Sequence, residues 1–438
     1  MANKEIHRTM ARPIAQHINL LLQLAEKEYK LRLQRGLSVQ QREKKVTEIL
    51  AETEIILDSL AVAKRRTMTV PRVCCADIIN RPDSVEVDVG WQETFDIARG
   101  KNSNESFILE LKDLLQQGDY GFVYNATWTS SEMGKADRRT AAVVKVAKIP
   151  SNNLWMLLEF VIHSFLMKNS ALKPFFTHLL GAAVAHNDTW PYRELLIVQA
   201  YHPGVDMYEY LNEYSFNDRS LIAAIQQIAF IIYHAQIACR FMHRDLKVEN
   251  VMIFDANTMD FPDNILDKEK ELFHRPPYYV CNEVEFNTEN IAIQLIDLGS
   301  STITLTDSNT TIACTTNRHP DTNNYNTAAD MANFCLTLFL DYEQVLAIRA
   351  PMLHAYLQKA VQPMLDHMKN FPNESVDIVS HKCASADFVP QKLIKTLQAL
   401  RIGLVQQEME NRAMQEMPAI PALSPPSTVS LAVASSSS

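Results

Sequence analysis

The stretch His243-Arg244-Asp245-Leu246-Lys247-Val248-Glu249-Asn250, followed at once by the apolar run Val251 to Phe254, carries most of the chemical information in the chain. A hydroxyl group becomes a useful nucleophile when a carboxylate at hydrogen-bond distance orients it and takes its proton, and Asp245 supplies such a carboxylate. Asn250, five residues on, offers a carbonyl oxygen of the kind that a hard cation accepts. Lys247 stands between the two and can meet developing negative charge.

Around this stretch lies a chain of 438 residues, 47% apolar and 21% charged, which is ordinary globular composition and enough for two or three lobes of core. Collagen, coiled-coil arrays and disorder throughout are excluded. No run of ~18 consecutive apolar residues occurs and the first residues lack the basic-then-apolar order of a secretory signal, so a soluble intracellular protein, cytoplasmic or nuclear, is expected. Seven cysteines, none in a zinc-type spacing, suggest reduced thiols and no structural metal. Residues 1–70 carry a net charge of +5 and the remainder −14. The cluster Lys64, Arg65, Arg66 reads better as a solvated helix end than as a nucleic-acid contact, so neither nucleic acid nor membrane is expected as a partner. Only ten glycines occur, so those that sit in motifs carry weight.

Six of the eight residues from His243 to Asn250 match the pattern H-R-D-L-K-x-x-N, and here the chain resembles the eukaryotic-type protein kinase family. The resemblance implies a bilobal α+β fold, with a small β-rich N-lobe and a larger helical C-lobe, acting on ATP and Mg²⁺ with proteins as substrates. By the same resemblance Asp245 is the catalytic base, Lys247 meets charge on the transferred phosphoryl group, and a lysine at that place is similar to the serine/threonine-directed branch.

Further segments resemble the family in the order it requires. Ile293 to Gly299 looks like a strand ending in the metal-binding D-F-G turn, with Leu298 for Phe, so that Asp297 and Asn250 are the expected Mg²⁺ ligands. Gln116 to Val123 resembles the glycine-rich phosphate loop with Gln116 in place of its first glycine; Gly118 and Gly121 would let backbone amides approach phosphate oxygens, and Val123 follows. Ala141 to Lys148 is similar to the lysine strand. Lys145, flanked by apolar neighbours, is the residue expected at the α- and β-phosphates, and Lys148 falls on the opposite face by period two. Its partner is expected to be Glu159, only 14 residues on. In Leu195 to Tyr208 the resemblance places Gln199 as gatekeeper, the backbone of Ala200 and His202 against adenine, and Asp206 near the ribose. Asp330 would anchor the catalytic loop through backbone amides.

Arg244 in the family helps form a basic pocket for a phosphate in the activation segment. Thr310 and Thr311 lie mid-segment and are candidates to carry it; two surface threonines in a polar loop is an equal reading. His319-Pro320-Asp321 stands where A-P-E would close the segment, and Arg401 is the arginine offered as partner to Asp321. The 52 residues from Asp245 to Asp297 exceed the usual connection, so about 255–289 is read as an insertion between adjacent strands, with Thr129 to Thr140 a smaller one.

The expected organisation is then a helical N-terminal extension over 1–66, a linker or divergent lead-in over 67–106, a kinase-like domain over 107–412 and a disordered serine-rich tail over 413–438. Within the domain, 107–202 form N-lobe and hinge and 203–412 the C-lobe. Divergent motifs, inserts and few glycines are similar in style to kinases of large DNA viruses, herpesviruses among them. Two other functions stand beside an active kinase: a pseudokinase scaffold, for which Gln116, Leu298 and Asp321 speak, and a small-molecule phosphotransferase, against which Arg244 and Lys247 speak.

Overall fold

The computed structural model describes residues 41, 44, 45, 48, 85–88, 105–117, 121–132, 138–147, 153–169, 171–186, 193–257, 259, 276–305, 310–313 and 325–416. Most of the expected helical extension, the residues Gly118, Lys148 and His319 to Asp321, and residues 417–438 lie outside them; the first four residues of the tail expected over 413–438, Ala413 to Glu416, instead continue the last helix.

The N-terminal lobe is an antiparallel sheet of six strands in the order β1-β2-β3-β4-β6-β5. These are β1 (Val85–Asp88), β2 (Glu105–Gln117), β3 (Gly121–Glu132), β4 (Arg138–Ala147), β5 (Leu179–His186) and β6 (Arg193–Ala200). β1 and the start of β2 fall within the lead-in expected over 67–106. Val85–Asp88 pairs with Ile108–Leu111 as an edge strand, because the alternation Val-Glu-Val-Asp between Pro82 and Gly90 suits a short edge. Within the smaller insertion, Thr129 and Ser130 pair with Arg139 and Arg138, lengthening the β3–β4 hairpin.

Period-two alternation gives this sheet two different faces. Tyr124, Ala126, Trp128, Ala142, Val144, Val146, Leu196 and Val198 form the lobe's own core. The opposite face carries the rows Val123–Lys145–Ile197 and Val143–Gln199, in register across β3, β4 and β6. Against it packs the helix α1 (Asn153–Lys168), whose Met156, Leu158, Phe160, Ile162 and Leu166 are buried.

The C-terminal part is helical. A short strand β7 (Val205–Asp206) leads into α2 (Met207–Glu213) and then α3 (Asp218–Cys239). The helix α3 starts at a capping box in which Asn217 and Ser220 bond each other reciprocally, and it ends at Arg240 in the left-handed region. By length and composition alone α3 could cross a membrane, but it is apolar on nearly every side because it runs through the middle of the large core. Strands β8 (Val251–Asp255) and β11 (Ile291–Leu295) pair antiparallel beneath the hinge, with β7 on the edge of β8.

Between β8 and β11 the inserted segment is described from residue 276. It forms the hairpin β9 (Tyr278–Cys281) and β10 (Val284–Asn287), turned by Asn282 and Glu283, both with positive φ as a two-residue type I′ turn requires. The hairpin is built into the core: Phe286 is fully buried, and Tyr279 stacks on Phe230 with ring centroids 4.8 Å apart. Arg401 donates to the carbonyl of Asn287 at 2.9 Å and pairs with the Glu289 carboxylate. Its guanidinium thereby fastens the insertion to the last helix, while Asp321, the partner offered for it, lies outside the described residues.

After β11 come β12 (Thr302–Leu305) and β13 (Thr310–Ala313), a second hairpin. Thr310 and Thr311 thus open a strand instead of lying in a loop. The remaining helices are α4 (Ala329–Arg349), α5 (Pro351–Asn370), α6 (Val376–Cys383) and α7 (Pro390–Glu416). The orphan amides at the start of α5 are met from α3, Asp218 Oδ1 accepting from Leu353 at 2.8 Å.

Candidate active site

The cleft lies where the Lys145 face of the sheet meets the strand ends of β8 and β11. Lys145 Nζ is 2.8 Å from Glu159 Oε2, 3.0 Å from Glu159 Oε1 and 2.9 Å from Asp297 Oδ1. Glu159 reaches it because only five residues separate β4 from α1, so the helix starts close beneath the strand and 14 residues suffice. Burial works against the Lys145 charge, but the carboxylates of Glu159 and Asp297 outweigh it and hold the amine well above its usual range. Burial pushes Glu159 upward, with Lys145 opposing it. Asp297 is drawn down to about 2 by Lys145, so it stays ionised at any working pH. Its residue sits at φ 54°, in the left-handed region that Asp tolerates better than most. Gly299 allows this crowding: a Cβ there would stand 3.1 Å from Asp297 Oδ1 and 3.4 Å from Glu159 Oε2. Leu298 is buried in the large core.

The second half of the site is the loop before β8. Asp330 at the start of α4 accepts the backbone amides of His243 at 2.9 Å and Arg244 at 2.8 Å, with Arg244 at φ 66°. His243 Nε2 lies 3.0 Å from the carbonyl of Ile296, and a carbonyl only accepts, so the ring carries its proton there. The Ile296 amide in turn donates to the carbonyl of Asn250 at 3.1 Å. These bonds weld the two loops, so that Asn250 and Asp297 approach the cleft from adjoining backbone. Asn250 Nδ2 donates to the Asp245 carbonyl at 2.7 Å and to Asp245 Oδ2 at 3.3 Å, and Lys247 Nζ is 3.6 Å from the same carboxylate oxygen. With its nitrogen committed, Asn250 has its oxygen left to offer a cation.

The residues expected on the nucleotide side fall as follows. Val123 is cross-strand partner to Lys145 and shares its face. Gly121 opens β3 where a Cβ would stand 2.7 Å from the carbonyl of Val146, so strand packing alone already demands glycine. Gln199 is on the cleft face, its Oε1 accepting from Thr177 Oγ1 at 3.0 Å. The Ala200 amide is used by the sheet, donating to the carbonyl of His178 at 2.8 Å. Buried His202 accepts at Nδ1 from the Gly204 amide at 3.0 Å. Asp206 caps α2 by accepting from Glu209 at 2.7 Å, so one of its oxygens is already engaged.

Sequence reasoning missed His163 and Thr177. His163 Nε2 lies 2.7 Å from the carbonyl of Thr177 behind the cleft. Its signal was a lone imidazole one helical turn past Glu159 in an otherwise apolar helix face.

Residues 109–302 match the model of the family described as protein tyrosine and serine/threonine kinase. No curated protein matches the chain. With the two-lobed α+β architecture around it, this stretch is a kinase domain of the eukaryotic type.

Proposed function

We propose that the protein transfers the γ-phosphoryl group of ATP to serine or threonine hydroxyls of other proteins, with Asp245 as the base and Asp297 and Asn250 as the residues that would hold Mg²⁺. The observation that carries this reading is the closed set at Lys145, one ammonium bonded to both the buried Glu159 and the half-exposed Asp297, because a decayed site has no reason to keep three charges in register.

The residues fit a metal-nucleotide. Asp297 uses Oδ1 toward Lys145 and has its side chain about half exposed to the cleft at 46%, and Asn250 presents an amide oxygen, which together are hard oxygen donors. Bound there, Mg²⁺ would neutralise charge on the β- and γ-phosphates. Lys145, held between two carboxylates, keeps its charge and a fixed direction for the α- and β-phosphates. Asp245 orients the acceptor hydroxyl and takes its proton, while Lys247 beside it offsets negative charge on the moving group. Glu159 touches no substrate and acts by aiming Lys145.

The proposed domain extends past the matched residues through Glu416, since α3, α4, α5 and α7 share one core with β8 and β11. Within it, Gln116 in place of a glycine supports the alternative of a nucleotide-binding scaffold. Transfer of labelled γ-phosphate from ATP·Mg²⁺ to a generic basic protein and to the chain itself separates the two, followed by phosphoamino-acid analysis. Phosphoserine or phosphothreonine is expected. Phosphotyrosine alone would overturn the acceptor class, and ATP binding with no transfer would leave the scaffold.

A further inference from the structure

We infer that His163 is a positioning residue for the transfer proposed above: through Thr177 and Gln199 it ties the helix that carries Glu159 to the strand that leads into the hinge. The inference rests on that reading of the cleft as an ATP site.

Glu159 and His163 stand four residues apart on α1 and so share one face. His163 is 2% exposed and Thr177 6%. The imidazole Nε2 meets the Thr177 carbonyl at 2.7 Å, which fixes the proton on Nε2. Burial lowers the ring's pKa to about 4, the bond to Thr177 resisting and the Lys145 charge adding to the fall, so the ring is neutral at physiological pH. Thr177 then uses its hydroxyl as well, donating to Gln199 Oε1 at 3.0 Å. Gln199 is in register with Val143, two residues before Lys145 on the same face of β4. The path from α1 through Thr177 to β6 and β4 therefore returns to Lys145, which the Lys145–Glu159 pair closes into a ring.

A leucine or methionine in place of His163 would fill the same space. It would not do the same work, because apolar contact fixes how close α1 lies to the sheet but not how the helix is rotated. A hydrogen bond has direction, and this one sets the rotation that points Glu159 at Lys145.

The test is a double-mutant cycle read by calorimetric titration of the full chain with ATP·Mg²⁺. His163→Leu is expected to weaken ATP about fivefold, the effect of one ordinary hydrogen bond. In a Glu159→Gln background the same change is expected to add nothing, since there is no longer a carboxylate to aim. Equal losses in both backgrounds would make His163 a merely structural residue and overturn the inference, as would an unchanged affinity in His163→Leu. Should His163→Leu not fold, Thr177→Val cuts the second link only and is read in the same cycle, with loss expected only where Glu159 is intact and additivity again fatal. A wild-type chain that binds no ATP would overturn the reading of the cleft itself, a result distinct from binding that is additive.

Discussion

Asp245→Asn is expected to lower the turnover number for phosphate transfer by about 10²- to 10⁴-fold, the span that a positioned general base contributes, with KM for ATP little changed. The substitution is nearly isosteric. The Asn250 bond to the backbone carbonyl at 245 survives it, and so do the Asp330 bonds that shape the loop, so the backbone has no cause to move. What is lost is the proton acceptor and the charge 3.6 Å from Lys247. Steady-state kinetics at saturating ATP measure it, and a variant with wild-type turnover would remove Asp245 from the chemistry.

Gly204→Ala is expected to cost more than about 3 kcal/mol of stability, at or beyond the top of the range for overpacking. A Cβ at Gly204 would stand 1.8 Å from the carbonyl oxygen of Ile253 and 2.6 Å from its carbon. Both are backbone atoms of β8, so no rotamer change relieves the collision. The hinge would have to lift away from β8, breaking the pairing of Val205 with Ile253 and the Gly204–His202 bond on which the entry to α2 rests. Gly403 is the control. It lies inside α7, the nearest atom to an added Cβ is the flexible end of Met352 at 4.0 Å, and Gly403→Ala is expected to be neutral or to stabilise by up to about 1 kcal/mol. Urea unfolding of both variants provides the comparison; a Gly204→Ala midpoint equal to wild type would mean that the hinge does not approach β8 as described.

What the sequence made legible was chemistry at fixed spacing and elements with an unambiguous period. The run from Leu221 to Ala238 reads as a helix because almost every side is apolar, and it lies inside Asp218–Cys239. Ala141 to Ala147 reads as a strand because β-branched residues alternate about Lys145, and it ends β4. By contrast β2 contains Leu109, Leu111, Leu114 and Leu115 among Glu and Lys, a helical spacing with helical propensity; pairing with β3 on one side and β1 on the other overrides it, at the expense of register shifts at Leu114 and Gln116. The insertion hid its hairpin because its turn residues, Asn282 and Glu283, lack the glycine that usually marks a tight turn. Arg401 hid for a different reason. Its partners Asn287 and Glu289 lie more than 100 residues away in that same insertion, and no local pattern connects them.

The site shows the same division. Asp245, Asn250 and Asp297 announce themselves by residue type and order. His163 and Thr177 do not, since a histidine on an apolar helix and a threonine before a strand acquire meaning only when the fold sets one against the other. The carbonyls of Ile296 and Asn250, which join the loops carrying Asp297 and Asp245, belong to the backbone and are invisible to any reading of side chains.

The central claim is that Lys145, Asn250 and Asp297 face one metal-nucleotide, and the Mg²⁺ dependence of ATP affinity tests it most directly. Titration of the wild-type chain with ATP is expected to show markedly tighter binding with Mg²⁺ than with chelator, and Asp297→Asn is expected to abolish most of that difference. Equal affinity with and without Mg²⁺ in the wild type, or a Mg²⁺ effect untouched by Asp297→Asn, would contradict the account.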